Sequence, residues 1–100
     1  MIPKGCTCKN TFPFPYAKEE VATIYITYQQ DGETIIEKDI DNCEFAEGKV
    51  SVKLTQEESL KFNDDTIVKV QIRCRLNNGA VIKSNIMKSH TDEILKSGVI

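Results

Sequence analysis

The run Thr66-Ile67-Val68-Lys69-Val70-Gln71-Ile72-Arg73-Cys74-Arg75-Leu76 alternates apolar and polar side chains almost without error and leads into Asn77-Asn78-Gly79-Ala80. Successive side chains of a strand point to opposite faces. Val68, Val70, Ile72, Cys74 and Leu76 therefore share one side, and Lys69, Gln71, Arg73 and Arg75 the other. The pattern predicts a strand with one buried and one wet face, at or near the centre of a sheet. Its partner is expected after the Asn-Gly turn, over Ala80 to Lys88, with Ala80, Ile82, Ser84 and Ile86 on one face.

Other segments repeat the theme. Val21 to Gln30 is rich in β-branched and aromatic residues, which suit a half-buried pleated surface. Ala22, Ile24, Ile26 and Tyr28 are expected inward, and Thr23, Tyr25 and Thr27 outward. Asp31-Gly32 supplies a tight hairpin turn, and Thr34 to Ile40 pairs back. A loop bracketed by Asp41-Asn42 and Glu47-Gly48 holds Cys43 and Phe45. Lys49 to Leu54 then alternates with Val50, Val52 and Leu54 inward. Thr55-Gln56-Glu57-Glu58 has capping-box spacing, which predicts one helical turn from Gln56 to Lys61 with Leu60 and Phe62 dropping into the core. This turn carries the chain from one layer to the other.

Prolines shape the beginning. Phe12-Pro13-Phe14-Pro15 blocks both a helix and a central strand, so an extended Cys6 to Thr11 ends at an edge or corner. A helical turn over Tyr16 to Glu20 can follow, with Pro15 at its first position. His90 to Gly98 reads as a partly ordered tail, with a short helix capped by Thr91 and ended at Gly98 as the alternative. Six or seven strands joined by hairpins and single-turn helices predict an all-β fold, a small antiparallel immunoglobulin-like β-sandwich forming one domain over residues 1–100. The chain lacks the tryptophan of an antibody domain.

Composition narrows the function classes. Thirteen Lys plus Arg against fifteen Asp plus Glu give a formal charge of -2, so no net positive field favours nucleic acid. No apolar run approaches the roughly 20 residues of a membrane-spanning helix, and Met1 to Cys6 does not read as a secretory signal. A reducing cytoplasm is thus expected, with Cys6, Cys8, Cys43 and Cys74 as free thiols. Their spacing lacks the paired knuckles of a structural zinc site; Cys74 reads as a small buried hydrophobe and Cys6 and Cys8 as edge thiols. His90, the single histidine, has no nucleophile or carboxylate in a catalytic spacing, and none of the carboxylates forms a calcium loop. Neither a cofactor nor an enzymatic activity is expected.

Two features invite a binding reading. Lys69, Arg73 and Arg75 could meet a phosphate or an acidic partner, although the overall charge favours a solvated face with cross-strand charge pairs to neighbours such as Lys53 or Glu37. Phe12, Phe14 and Tyr16, with Tyr25 and Tyr28, supply aromatic area. Most of it should lid the core, and part could anchor a partner. The candidate partner-binding residues are Phe12, Phe14, Tyr16, Tyr25, Arg73 and Arg75.

The order of phrases Ile24-Tyr25-Ile26-Thr27-Tyr28, Val50-Ser51-Val52-Lys53-Leu54-Thr55-Gln56-Glu57-Glu58-Ser59-Leu60-Lys61-Phe62, Val70-Gln71-Ile72-Arg73, Asn78-Gly79 and Ile94-Leu95-Lys96-Ser97-Gly98-Val99-Ile100 resembles a family of small uncharacterised proteins. These are encoded by tailed phages and prophages of Gram-positive, Clostridia-like bacteria. The Leu-Thr-Gln-Glu-Glu phrase and the Leu-Lys-x-Gly-Val-Ile ending are its most specific parts; the four cysteines lie outside its pattern. The resemblance implies a non-enzymatic virion or tail-associated structural protein, built like the β-sandwich modules of phage baseplates. Its partners would be other phage structural proteins or a second copy, with neither nucleic acid nor membrane involved, and exposed strand edges would suit repeated assembly. It would reside in the host bacterial cytoplasm during assembly and then in the virion. The alternative it implies is a small ligand- or carbohydrate-binding module of a prophage receptor-binding apparatus.

Overall fold

A computed structural model describes residues 2–100. β1 (Cys8–Pro13), β4 (Cys43–Ala46) and β5 (Lys49–Leu54) form a three-stranded antiparallel sheet in the order β1-β5-β4. β2 (Val21–Gln30), β3 (Glu33–Lys38), β6 (Ile67–Leu76), β7 (Val81–Lys83) and β8 (Met87–His90) form the second sheet, in the order β3-β2-β6-β7, with β8 also on β6. These are the B-E-D and C′-C-F-G orders of an immunoglobulin-type sandwich.

β6 is the central strand expected from its alternation. Val68, Val70, Ile72, Cys74 and Leu76 are all buried, and Lys69, Arg73 and Arg75 are exposed. Across the core, β5 contributes Val50, Val52 and Leu54, each at most 1% exposed. The short helix α1 (Gln56–Ser59) bridges the two layers. Its capping box is closed: the Glu58 amide donates to Thr55 Oγ1 at 3.1 Å and the Thr55 amide to Glu58 Oε1 at 2.9 Å. Phe62 drops from it into the core against Tyr28, with ring centroids 5.9 Å apart. Leu60 stays half-buried.

Several local expectations change. Cys43 to Ala46 is not loop but strand β4, because Glu47-Gly48 forms a hairpin turn that folds it onto β5, with Cys43 opposite Val52 and Phe45 opposite Val50. The strand expected over Ala80 to Lys88 is broken in two. Arg73 lies opposite Lys83, but Val70 lies opposite Met87, so the edge segment carries one residue more than β6 does between those pairs. Ser84 manages the slip: its amide donates to the Ile72 carbonyl at 2.8 Å, and its hydroxyl accepts from the Ile72 amide at 2.9 Å. The excess leaves Ile86 55% exposed rather than inward. Ala22 also turns outward and Val21 inward, because the β2–β6 register shifts between Val21 and Thr23.

The strand edges are less open than the resemblance implied. β1 ends in Pro13, β4 has four residues, the β2–β3 pairing is bulged after Tyr28, and the fourth edge is the broken β7/β8. Each device disfavours strand addition. The segment after His90 has no helix, but Thr91 is fully buried. Its hydroxyl donates to the Asn63 carbonyl and accepts from the Thr66 amide at 3.2 Å, while Ile2 pairs beside it in parallel.

Candidate interaction face

Strand register decides which polar side chains meet on the outside of the five-stranded sheet. Directly opposed residues of antiparallel strands share a face. Thr23 opposes Arg75, Tyr25 opposes Arg73 and Thr27 opposes Gln71. On the other flank of β6, Arg75 opposes Val81, Arg73 opposes Lys83 and Lys69 opposes Lys88. Five cations, Lys69, Arg73, Arg75, Lys83 and Lys88, thus stand on this face, and all are exposed.

The expected cross-strand charge pairs do not form. Lys53 lies in the other sheet, opposite Lys9. Glu37 is on this face but opposes Thr27, whose hydroxyl donates to it at 3.4 Å, one strand away from β6. Among the described residues, none of the five cations is in an ion pair. Arg73–Lys83 and Lys69–Lys88 are instead like charges placed directly opposite one another, an arrangement that destabilises a sheet.

Between these rows runs a shallow open groove of about 460 Å³, lined by Tyr25, Thr27, Glu37, Gln71, Arg73 and Ile86 among others. A smaller depression, lined by Thr23, Tyr25, Arg73, Arg75 and Val81, continues it and shares Tyr25 and Arg73. Tyr25 is 44% and Val81 51% exposed. Aromatic, aliphatic and guanidinium groups therefore adjoin, a mixture typical of protein interfaces.

The structure brings Tyr25, Arg73 and Arg75 together and separates Phe12, Phe14 and Tyr16 from them. Phe14 is buried at 4% and packs edge-on against Tyr16 at 5.6 Å and Phe45 at 5.9 Å. Phe12 and Tyr16 are half-buried against the same core. The prolines that break regular structure aim these rings inward to close one end of the sandwich. Phe14 is thereby corrected from a docking residue to a core lid, whereas Phe12 and Tyr16 keep part of their surface exposed.

The remaining titratable groups are separate from the groove. All four cysteines are free; Cys6 is exposed and Cys8 half-buried, while Cys43 and Cys74 are buried. Burial, with the Asp39 charge adding to it, pushes the Cys43 thiol up to about 11 against the opposing pull of Lys38. Burial likewise raises Cys8 and Cys74. Such thiols are poor nucleophiles at neutral pH. Among the described residues, no group of three or more His, Cys, Asp or Glu converges as a metal site would require. His90 Nε2 lies 3.2 Å from Asp65 Oδ1, at the exposed end of β8.

Sequence reasoning missed the Lys38–Glu58 pair, which ties β3 to α1 with both side chains largely buried. It gave no warning because Lys38 falls at an inward position of a strand otherwise apolar there. It also missed Lys83 and Lys88 as members of the basic face. Counting back from the Asn77-Asn78-Gly79 turn places Lys83 opposite Arg73, but Lys88 depends on the slip at Ser84, which leaves no sequence signal.

Compared with models of known protein families, with curated proteins and with solved structures, the chain gives no match.

Proposed function

We propose that this chain is a non-enzymatic docking module that acts through protein–protein contacts on the outer face of its five-stranded sheet. The observation that carries the reading is the pair of like-charged oppositions, Arg73–Lys83 and Lys69–Lys88, beside the exposed Tyr25. A folding requirement does not explain cations that repel one another across a ladder, whereas an acidic partner neutralises them on contact. Broken local rules of this kind mark functional surfaces. Tyr25, Arg73 and Arg75 are the central docking residues, joined by Lys83.

The setting proposed for this activity is the virion or tail of a phage or prophage, with other structural proteins or a second copy as partners. The sequence phrases of Leu54 to Glu58 and Leu95 to Ile100 support that setting. Assembly would take place in the host cytoplasm before incorporation into the particle. A second reading, a ligand- or carbohydrate-binding module, draws on the groove itself, where the Tyr25 ring adjoins the hydrogen-bonding side chains of Thr27, Glu37 and Gln71.

The test is a pull-down from cells assembling the particle, with mass spectrometry of purified virions, using the wild-type chain and Arg73→Glu. The reading expects the chain in particles and a partner that Arg73→Glu loses while remaining folded. Recovery of the same partners by both proteins would refute the docking face. Binding of a glycan that Tyr25→Ala abolishes, with no protein captured, would favour the second reading.

A further inference from the structure

We infer that the occupant of the basic face is a second copy of this chain, docking its acidic end. The inference rests on the docking reading above and adds the identity of the partner. The face holds five of the thirteen cationic side chains and one of the fifteen carboxylates, so the rest of the chain is strongly acidic. Part of that excess gathers at one end of the sandwich. There the segment from Pro15 to Glu20 and the β4–β5 turn enclose a depression of about 400 Å³ that contains Glu19, Glu20 and Glu47 against the single cation Lys18. Among the described residues none of these carboxylates is in an ion pair.

The two surfaces are counterparts. The end places half-buried aromatic rings, Tyr16 and Phe45, beside carboxylates, and the face places Tyr25 beside Arg73. Among the described residues the two surfaces form no ion pair with each other. The acidic end borders the Arg75 end of the sheet, where the Asn77 amide donates to the Glu20 carbonyl at 2.9 Å, yet no carboxylate there comes within 4.0 Å of Arg75. Contact between molecules would supply the pairing that the single chain lacks. Opposite charge on unlike patches gives a heterologous, head-to-tail association in which every bound copy still offers one free face and one free end, so the product is a ring or an open filament. Strand addition is disfavoured, because three edges are bulged, broken or short and the fourth ends in proline. A long polyanion suits the face less well, since beyond it the strand would cross an acidic surface.

Analytical ultracentrifugation of the full chain, at low and high salt, tests this with a charge exchange. One variant carries Arg73→Glu and Lys83→Glu, the other Glu19→Lys and Glu20→Lys; circular dichroism verifies that both fold. The wild type is expected to self-associate at low salt and dissociate as salt screens the contact. Each variant alone should associate about tenfold more weakly or worse. An equimolar mixture of the two should recover association, because each then supplies the complement of the other. A wild type that stays monomeric at low salt, or variants that associate as it does, would overturn the inference. So would a mixture that fails to recover. Should the wild type be monomeric while Arg73→Glu still loses a captured protein, the second-copy assignment falls and the docking reading stands. Retardation of a DNA duplex by a monomeric wild type would assign the face to nucleic acid and refute both.

Discussion

The two outer faces of the sandwich solve the same problem in opposite ways. On the three-stranded sheet Lys9 stands directly opposite Lys53, a like-charge pair, but Glu44 on β4 reaches both, at 3.1 Å and 3.7 Å. The pair is neutralised, and the Lys9 hydrogen bond, with the charges of both lysines, holds the Glu44 carboxyl below its ordinary value. Beside it Thr11 and Ser51 share a hydroxyl hydrogen bond of 2.9 Å. The five-stranded sheet has two such like-charge pairs and no carboxylate between them; its own Glu37 is engaged by Thr27 on the far side of β2. One face has its like charges bridged by a carboxylate within the molecule, and among the described residues the other does not.

The largest expected effect should be blind to that difference. Ile72→Ala hollows the core shared by both faces and should cost about 2–5 kcal/mol, read as a lower urea midpoint, while partner binding per folded molecule stays unchanged. A lost partner at full folding would mean that β6 transmits core packing to its outer side. Next comes Glu58→Gln, which leaves the Lys38 ammonium buried without its carboxylate and should lower stability by about 1–3 kcal/mol.

This second substitution also sets the acid response. Burial pushes the Glu58 carboxyl up, but hydrogen bonds from Lys38 and the Thr55 amide together outweigh it, and the group titrates below its ordinary 4.5. A depressed folded value contributes stability that is complete above the unfolded pKa and lost as the pH falls through the folded one. The wild type should therefore weaken below about pH 4.5, and Glu58→Gln should flatten that part of a Tm-against-pH curve.

Smaller, and of opposite sign, is Arg73→Glu. Converting the opposition with Lys83 into an attractive pair should raise stability by about 0.2–1 kcal/mol while abolishing partner capture. A variant that lost both stability and binding would show that the face serves the fold. The smallest effect belongs to Glu44→Gln on the bridged face: a slight fall in Tm at neutral pH, with partner binding untouched. Loss of partner binding there would assign docking to the wrong sheet.

How far these faces could be read from the chain depended on how local their causes were. The burial pattern of β6 follows from side-chain alternation within one strand, and the α1 cap from four consecutive residues. The outward stripe of Lys69, Arg73 and Arg75 was visible for the same reason. Its meaning was not, because what opposes each cation is a matter of register across strands. A nearby tight turn sets Lys83, whereas Lys88 waits on one extra residue accommodated by Ser84. Phe14 shows the converse failure. An aromatic beside two prolines looks available in sequence, yet Tyr16 and Phe45, which cover it, come from two residues along the chain and from a strand absent from the sequence reading.

The parallel bridge between Ile2 and Thr91, with the Ile2 amide on the His90 carbonyl at 2.9 Å and the Lys4 amide on the Asp92 carboxylate at 2.9 Å, has a mechanical consequence. Tension drawn through the chain from before Ile2 to beyond Asp92 pulls the two paired segments along their length in opposite directions. Their hydrogen bonds, and those anchoring Thr91 to Asn63 and Thr66, are then loaded together in shear rather than opened one at a time.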